Sequence, residues 1–244
     1  MNQLSLGFPE AYTSRASYRI VVPPALEPVS VTDVRDALGL GDAPSSGALQ
    51  RMIQSARELA EAYTGRAFLN QTLEMQLDTF PAAGMPWWDG VRQGARRSMS
   101  GDGAIMLFRP PVSEITSVTY VTSSGATNTV DATGYYIDTI VEPNRLLLNE
   151  AGSWPVDPRV RAAVTITYVA GYGATPASLP ALIVEAMLAH IGDQIDRPNH
   201  GVLSQRIDNA ATTYSPSVVA TAAAGALRGG AAAMLASLRV LPSV

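Results

Sequence analysis

Residues 49–77 read LQRMIQSARELAEAYTGRAFLNQTLEMQL, and the hydrophobic period changes inside this stretch. Up to Tyr63 the apolar residues Leu49, Met52, Ile53, Ala56, Leu59, Ala60 and Tyr63 recur at three- and four-residue steps, the spacing that lines one face of an α-helix. Gln50, Arg51, Gln54, Arg57, Glu58 and Glu61 fill the rest, with Arg57 and Glu61 one turn apart. After Gly65 the period becomes two, because Leu73, Met75 and Leu77 alternate with Glu74, Gln76 and Asp78, as in a half-buried strand. Ser45 or Ser46 supplies the helix cap and Gly65 the stop, so a helix hands directly to a sheet.

Upstream, Ser30-Val31-Thr32-Asp33 opens a short helix: the serine can cap it, and the carboxylate sits at the positive end of the dipole. Gly39 closes that helix. Downstream, strands are expected at Ala104–Arg109, Glu114–Thr122, Ala126–Val130, Tyr135–Thr139, Arg145–Leu148 and Ala162–Ala170, separated by turn residues such as Pro110-Pro111 and Ser124-Gly125. Closely spaced strands without intervening helices point to an antiparallel sandwich or small barrel. Helix returns after Pro176, with Leu182, Ile183, Ala186, Met187, His190, Ile191 and Ile195 on one stripe and Pro198 as its end. The organisation expected is therefore α+β: a small helical bundle with an inserted antiparallel β-sandwich or barrel-like domain and a C-terminal helical arm. Its parts are an extension (1–25), the first bundle helices (26–66), the β domain (67–175), a bundle helix (176–198), a linker (199–216) and the arm (217–244).

Composition narrows the chemistry. The chain has 244 residues, 47% of them hydrophobic, enough to bury a core, and no cysteine, so neither disulfides nor thiolate sites exist. All 17 basic residues are arginine, which excludes a P-loop or a Schiff-base lysine. A formal net charge of −4 argues against a surface built to grip the phosphate backbone. The first 25 residues show no secretion-signal pattern, and Val218–Ala226 is far shorter than the ~20 apolar residues of a spanning helix.

The sequence carries no recognisable catalytic constellation. Only two histidines occur, and His190 lies in an apolar helix stripe without a second imidazole at ligand spacing, so a core or interface role is expected. Asp193 and Asp196 share a helix face and read as a solvated helix end rather than a cation site. Gly171-Tyr172-Gly173 sits where a dinucleotide fingerprint belongs, but Pro176 stands in the place of the third glycine and no βαβ pattern surrounds it. No metal or cofactor is implied. Between Pro81 and Gly103, Trp87-Trp88 and Arg92, Arg96 and Arg97 either anchor an interface between subunits or with a partner, or fold over the open end of the sandwich.

Taken in order, these pieces resemble the head–tail connector, or adaptor, family of long-tailed phages and gene transfer agents. The carriers are Leu26-Glu27-Pro28-Val29-Ser30 opening the first helix, the run Ala56 to Arg66 closing the second, Arg109-Pro110-Pro111-Val112 with Ser117-Val118-Thr119-Tyr120 in the sheet, and Tyr168 to Gly173 before Pro180. The ending Met234 to Leu241 looks like a looser form of the family's tail, lacking its proline and aromatic residue. The resemblance implies a non-enzymatic virion protein, assembled in the host bacterial cytoplasm, that forms a ring, usually twelvefold, at the neck between the portal and a stopper or tail-terminator protein. DNA passes through that ring without specific binding, and no membrane is involved.

In this reading the arm docks on the portal through Met234, Leu235 and Leu238, with Arg228 and Arg239 pairing with carboxylates on the partner. The stripe is too short to be stable as an isolated helix, so the arm is expected to be poorly ordered in the free subunit. The competing function is a carbohydrate- or other ligand-binding β-sandwich module using Trp87 and Trp88 as its platform.

Overall fold

The computed structural model describes residues 16–81, 104–150, 152–196, 204–207, 210–213, 227–228 and 230–240. Two compact units emerge: residues 24–69 with 172–239, which carry the helices, and residues 1–23 with 70–171 and 240–244, which carry the main sheets.

The helical unit contains α1 (Val31–Leu38), α2 (Ser46–Thr64), α3 (Ala181–Ile195) and the single turn α4 (Ala231–Leu235). Its starts and stops follow from the local residues. The Ser30 hydroxyl accepts the Asp33 N–H at 3.1 Å and the Asp33 carboxylate accepts the Ser30 N–H at 2.9 Å, a reciprocal cap that lowers the Asp33 pKa. Gly65 ends α2 with φ +72°, a left-handed conformation that costs glycine little, and its N–H bonds the Glu61 carbonyl. The apolar faces of α1, α2 and α3 meet around Val34, Ile53, Phe68, Ile183, Met187 and Ile191.

Two residues expected on the wet face of α2 are buried instead. Arg57 and Glu61 are each less than 10% exposed, and Arg57 pairs with Glu27 at 2.8 Å and with Glu61 at 3.3 Å. Burial works against the guanidinium charge, but the hydrogen bonds and negative charges of Glu27, Glu61 and Glu58 outweigh it, so its pKa is raised. The other oxygen of Glu61 accepts the backbone N–H of Phe68 at 2.9 Å. A helix period alone cannot separate this from a solvated ion pair, because the burying partner comes from the flanking chain.

The β unit holds β1 (Ala16–Val22), β2 (Gln71–Leu77), β3 (Ile105–Met106), β4 (Val112–Val121), β5 (Thr127–Thr129), β6 (Tyr135–Asp138), β7 (Arg145–Leu148) and β8 (Val164–Ala170). They form a five-stranded sheet, β1-β2-β8-β4-β5, and a three-stranded one, β3-β7-β6, antiparallel throughout and not closed into a barrel among the described residues. Leu73, Met75 and Leu77 of β2 and Val164, Ile166, Tyr168 and Ala170 of β8 are buried, as their alternation requires. Asn144 ties the sheets together: its side-chain oxygen accepts the Val112 N–H at 2.7 Å and its backbone carbonyl accepts the Leu107 N–H at 2.9 Å. Tyr168 is fully buried, its hydroxyl donates to the Phe108 carbonyl at 3.0 Å, and desolvation raises its pKa.

Three elements differ from the sequence expectation. The extension 1–25 contains β1, an edge strand whose side chains are largely exposed, so its apolar alternation carried no burial signal. The strand read over Ala104–Arg109 shrinks to Ile105–Met106, ahead of Arg109, which has a positive φ of 58°, and the following prolines. The segment read as the linker 199–216 includes a two-stranded antiparallel ladder, β9 (Ser204–Ile207) with β10 (Ala210–Thr213). Both strands have only four residues, too short for a period to register.

Glu61→Ala should lower the stability of the helical unit by about 3 kcal/mol, because it leaves Arg57 buried with one carboxylate fewer and orphans the Phe68 N–H. Glu61→Gln should cost clearly less, since its amide oxygen still accepts that N–H. Urea titrations followed by circular dichroism compare the two; equal losses would show that the Phe68 bond contributes nothing.

Candidate functional site

The one constellation expected to meet a partner and placed by the structure is the C-terminal segment. Gly230, at φ +79°, turns the chain into α4, and the Gly230 carbonyl accepts the N–H groups of Ala233 and Met234. Ala231 and Leu235 are one turn apart and both enter the core of the helical unit, Leu235 being 1% exposed. A single 3-10 turn over Ala236–Leu238 follows. A five-residue helix has no stability of its own, so burial of these two side chains is what holds it.

Polar contacts fix the segment at both ends. At its start, the buried His190 ring of α3 accepts the Arg228 backbone N–H on Nδ1 at 2.9 Å. At its end, the Arg66 side chain donates through Nε to the Leu238 carbonyl, and the Arg239 guanidinium lies over the Tyr63 ring at 5.0 Å. These partners are 38 and 172 residues apart in the chain for the two hydrogen bonds.

This corrects the expectation of a poorly ordered arm awaiting a partner: the segment packs on its own helical unit. The stripe is as short as its sequence indicates, but the surface that buries it comes from α2 and α3. The five residues singled out for docking therefore have different places. Leu235 is core, Leu238 is half-buried, Arg228 is engaged through its backbone, and Met234 and Arg239 are exposed, Met234 at 37%. Tyr63, Arg66 and His190 belong to this site as its seat. In the sequence they carried only a helix stripe and a helix end, with nothing to pair them with a tail so distant.

The other expected residues are placed differently. Trp87, Trp88, Arg92, Arg96 and Arg97 lie outside the described residues. Asp196 is exposed at the end of α3, whereas Asp193 is half-buried, near His190. Gly173 has Ser178 so close that an added Cβ would lie 2.3 Å from its hydroxyl oxygen, a packing reason for the glycine. Among the described residues no group of three or more His, Asp or Glu side chains is arranged to hold a metal ion, and no helix is long and apolar enough to cross a membrane.

Leu235→Ala should destabilise the helical unit by about 2–5 kcal/mol, the cost of a cavity in a packed core, while Met234→Ala should change it by less than ~0.5 kcal/mol. Chemical denaturation of both variants measures the difference. Equal, small effects would mean that the segment is not part of the core.

No family model matches the chain, and no curated protein matches it in sequence. Its fold is similar to that of a chain in the neck of an empty gene transfer agent (GTA) particle computed with C6 symmetry, with a TM-score of 0.64, 18% identity, and coverage of 93% of this chain and 97% of that one. A chain of the virion of a native gene transfer agent particle gives a TM-score of 0.64 at 17% identity over 93% and 97% of the two chains. One in the neck of a native GTA particle computed with C12 symmetry gives 0.58 at 17% over 94% and 97%. At these identities the likeness is one of architecture: the chain has, over nearly its whole length, the fold of a protein found in gene transfer agent necks.

Proposed function

We propose that the chain is a structural head-to-tail adaptor, or connector, subunit: it joins copies of itself into a ring at the neck of a phage-like particle, between the portal and the stopper or tail-terminator proteins. The observation that carries this reading is the coverage of the fold likeness, 93% of this chain and 97% of its neighbour, which takes in both units and not a common module alone. The neighbours come from assemblies of sixfold and twelvefold symmetry, which supports a ring, a place in the virion neck and a structural rather than enzymatic role. A net charge of −4 without lysine suits a wall that DNA slides past without adhering.

The face of the C-terminal segment that its own core leaves uncovered is the surface offered to the portal. Met234 and Arg239 are exposed on it, while Leu235 positions α4 from below and Leu238 lies between. The carbohydrate-binding alternative rests on Trp87 and Trp88 and gains no support from the described residues.

Mixing the purified protein with the portal of its own particle should give a complex that co-elutes on size exclusion and shows stacked rings by electron microscopy. Met234→Asp should weaken that association about tenfold or more while leaving the melting temperature of the free protein unchanged. Co-elution without rings, or none, would sink the adaptor reading. Undiminished binding by Met234→Asp would remove only the proposed surface, and binding to a glycan array lost on Trp87→Ala would favour the alternative.

A further inference from the structure

We propose that His190 is a proton-sensitive latch: neutral, it holds the C-terminal segment on the helical unit, and protonated, it releases that segment. The geometry allows only one protonation state in the closed form. Nδ1 accepts the Arg228 N–H at 2.9 Å, so Nδ1 carries no hydrogen. An imidazole accepting on both nitrogens would be an anion, so Nε2 carries the proton; the Gln194 amide, 2.9 Å away and assigned with its nitrogen towards the ring, must turn its oxygen inward to accept it. Both ring nitrogens are thus engaged, and the residue is 1% exposed.

A second proton can enter only at Nδ1, where it meets the Arg228 N–H head-on. Two donors would then face each other in a buried contact, which loses the hydrogen bond and adds the cost of an unsatisfied donor. The backbone group cannot turn away without moving the chain, because Arg228 immediately precedes the turn into α4, and its carbonyl accepts the Ala231 N–H at 3.0 Å. Breaking the His190 contact therefore loosens the entry to the segment whose Leu235 fills the core.

The charged groups that bear on the ring are Arg228, from the segment, and Asp193, from the turn of α3 below it. Burial, reinforced by the Arg228 charge and partly opposed by Asp193, holds the imidazole pKa below the ordinary histidine value. Once the segment is released, the ring is wet and titrates near its ordinary value of about 6.5. The closed form thus binds fewer protons than the open form between its own lowered pKa and about 6.5. Closure is fully stable above that window, weakens as pH falls through it, and loses nothing more below the closed-form value.

Hydrogen–deuterium exchange of the full chain between pH 7.5 and 4.5, corrected for intrinsic exchange, reads this directly. Peptides covering 228–238 should lose protection by up to about tenfold per pH unit from about 6.5 down to the closed-form value and then level off, the behaviour of a single linked proton, while peptides of α1 and α2 keep theirs. His190→Asn places a non-titrating acceptor near the Nδ1 position and should abolish that dependence. Arg228→Gln should shrink the total loss, because it raises the closed-form pKa towards the open one. Independently of any variant, NMR titration of the wild type should show His190, one of only two histidines, titrating below the ordinary value. Protection that is flat across the range, the same loss in His190→Asn, or an ordinary His190 titration would overturn the latch.

Discussion

The helical unit depends on one carboxylate. Glu61 neutralises the buried Arg57 with one oxygen and holds the Phe68 N–H with the other, at the point where α2 ends and the chain turns towards β2. Phe68 in turn fills the core, and its carbonyl accepts the Tyr172 N–H at 2.8 Å. The two stretches at which the chain leaves and re-enters this unit are therefore fastened to each other by a backbone bond, and that bond is placed by an ion pair. A buried pair of this kind adds little net stability over apolar packing. Its effect is to define where the chain exits, because the Phe68 N–H meets the same carboxylate that Arg57 holds.

The same logic of distant closure governs the C-terminal segment. The core of the helical unit is assembled from stretches far apart in the chain, and its last stretch meets the end of α2 through Arg66 and Leu238, 172 residues apart. Bringing such stretches together costs loop entropy before any contact repays it. The segment compensates by combining kinds of contact: Leu235 in the core, a backbone bond to His190, a carbonyl bond from Arg66 and a guanidinium on Tyr63. None alone would hold five residues of helix.

Much of this was legible in the sequence, and the boundary between what was and what was not is physical. The caps at Ser30, Gly39 and Gly65 and the alternation in β2 and β8 are local, so residue type alone located them. Arg57 and Glu61 were legible as a pair but not as a buried one, since Glu27 and Phe68, which complete the cluster, lie outside the helix. β1 escaped because an edge strand buries too little for its pattern to stand out, and the β9–β10 ladder because strands of four residues show no period. The tail's short apolar stripe is legible in its sequence, but nothing in its own residues names the surface of α2 and α3 that buries it.

β1 precedes the helical unit in sequence yet pairs along β2, so each unit is interrupted by the other. No single cut in the gene yields either one whole. Removing everything before residue 24 would strip the sheet of a strand and bare the backbone of β2, whose Leu73, Met75 and Leu77 are now fully covered, creating the flat apolar edge on which chains aggregate. Recombination could exchange the whole protein or the loops at its surface, but not one half for another. The two units must be inherited together.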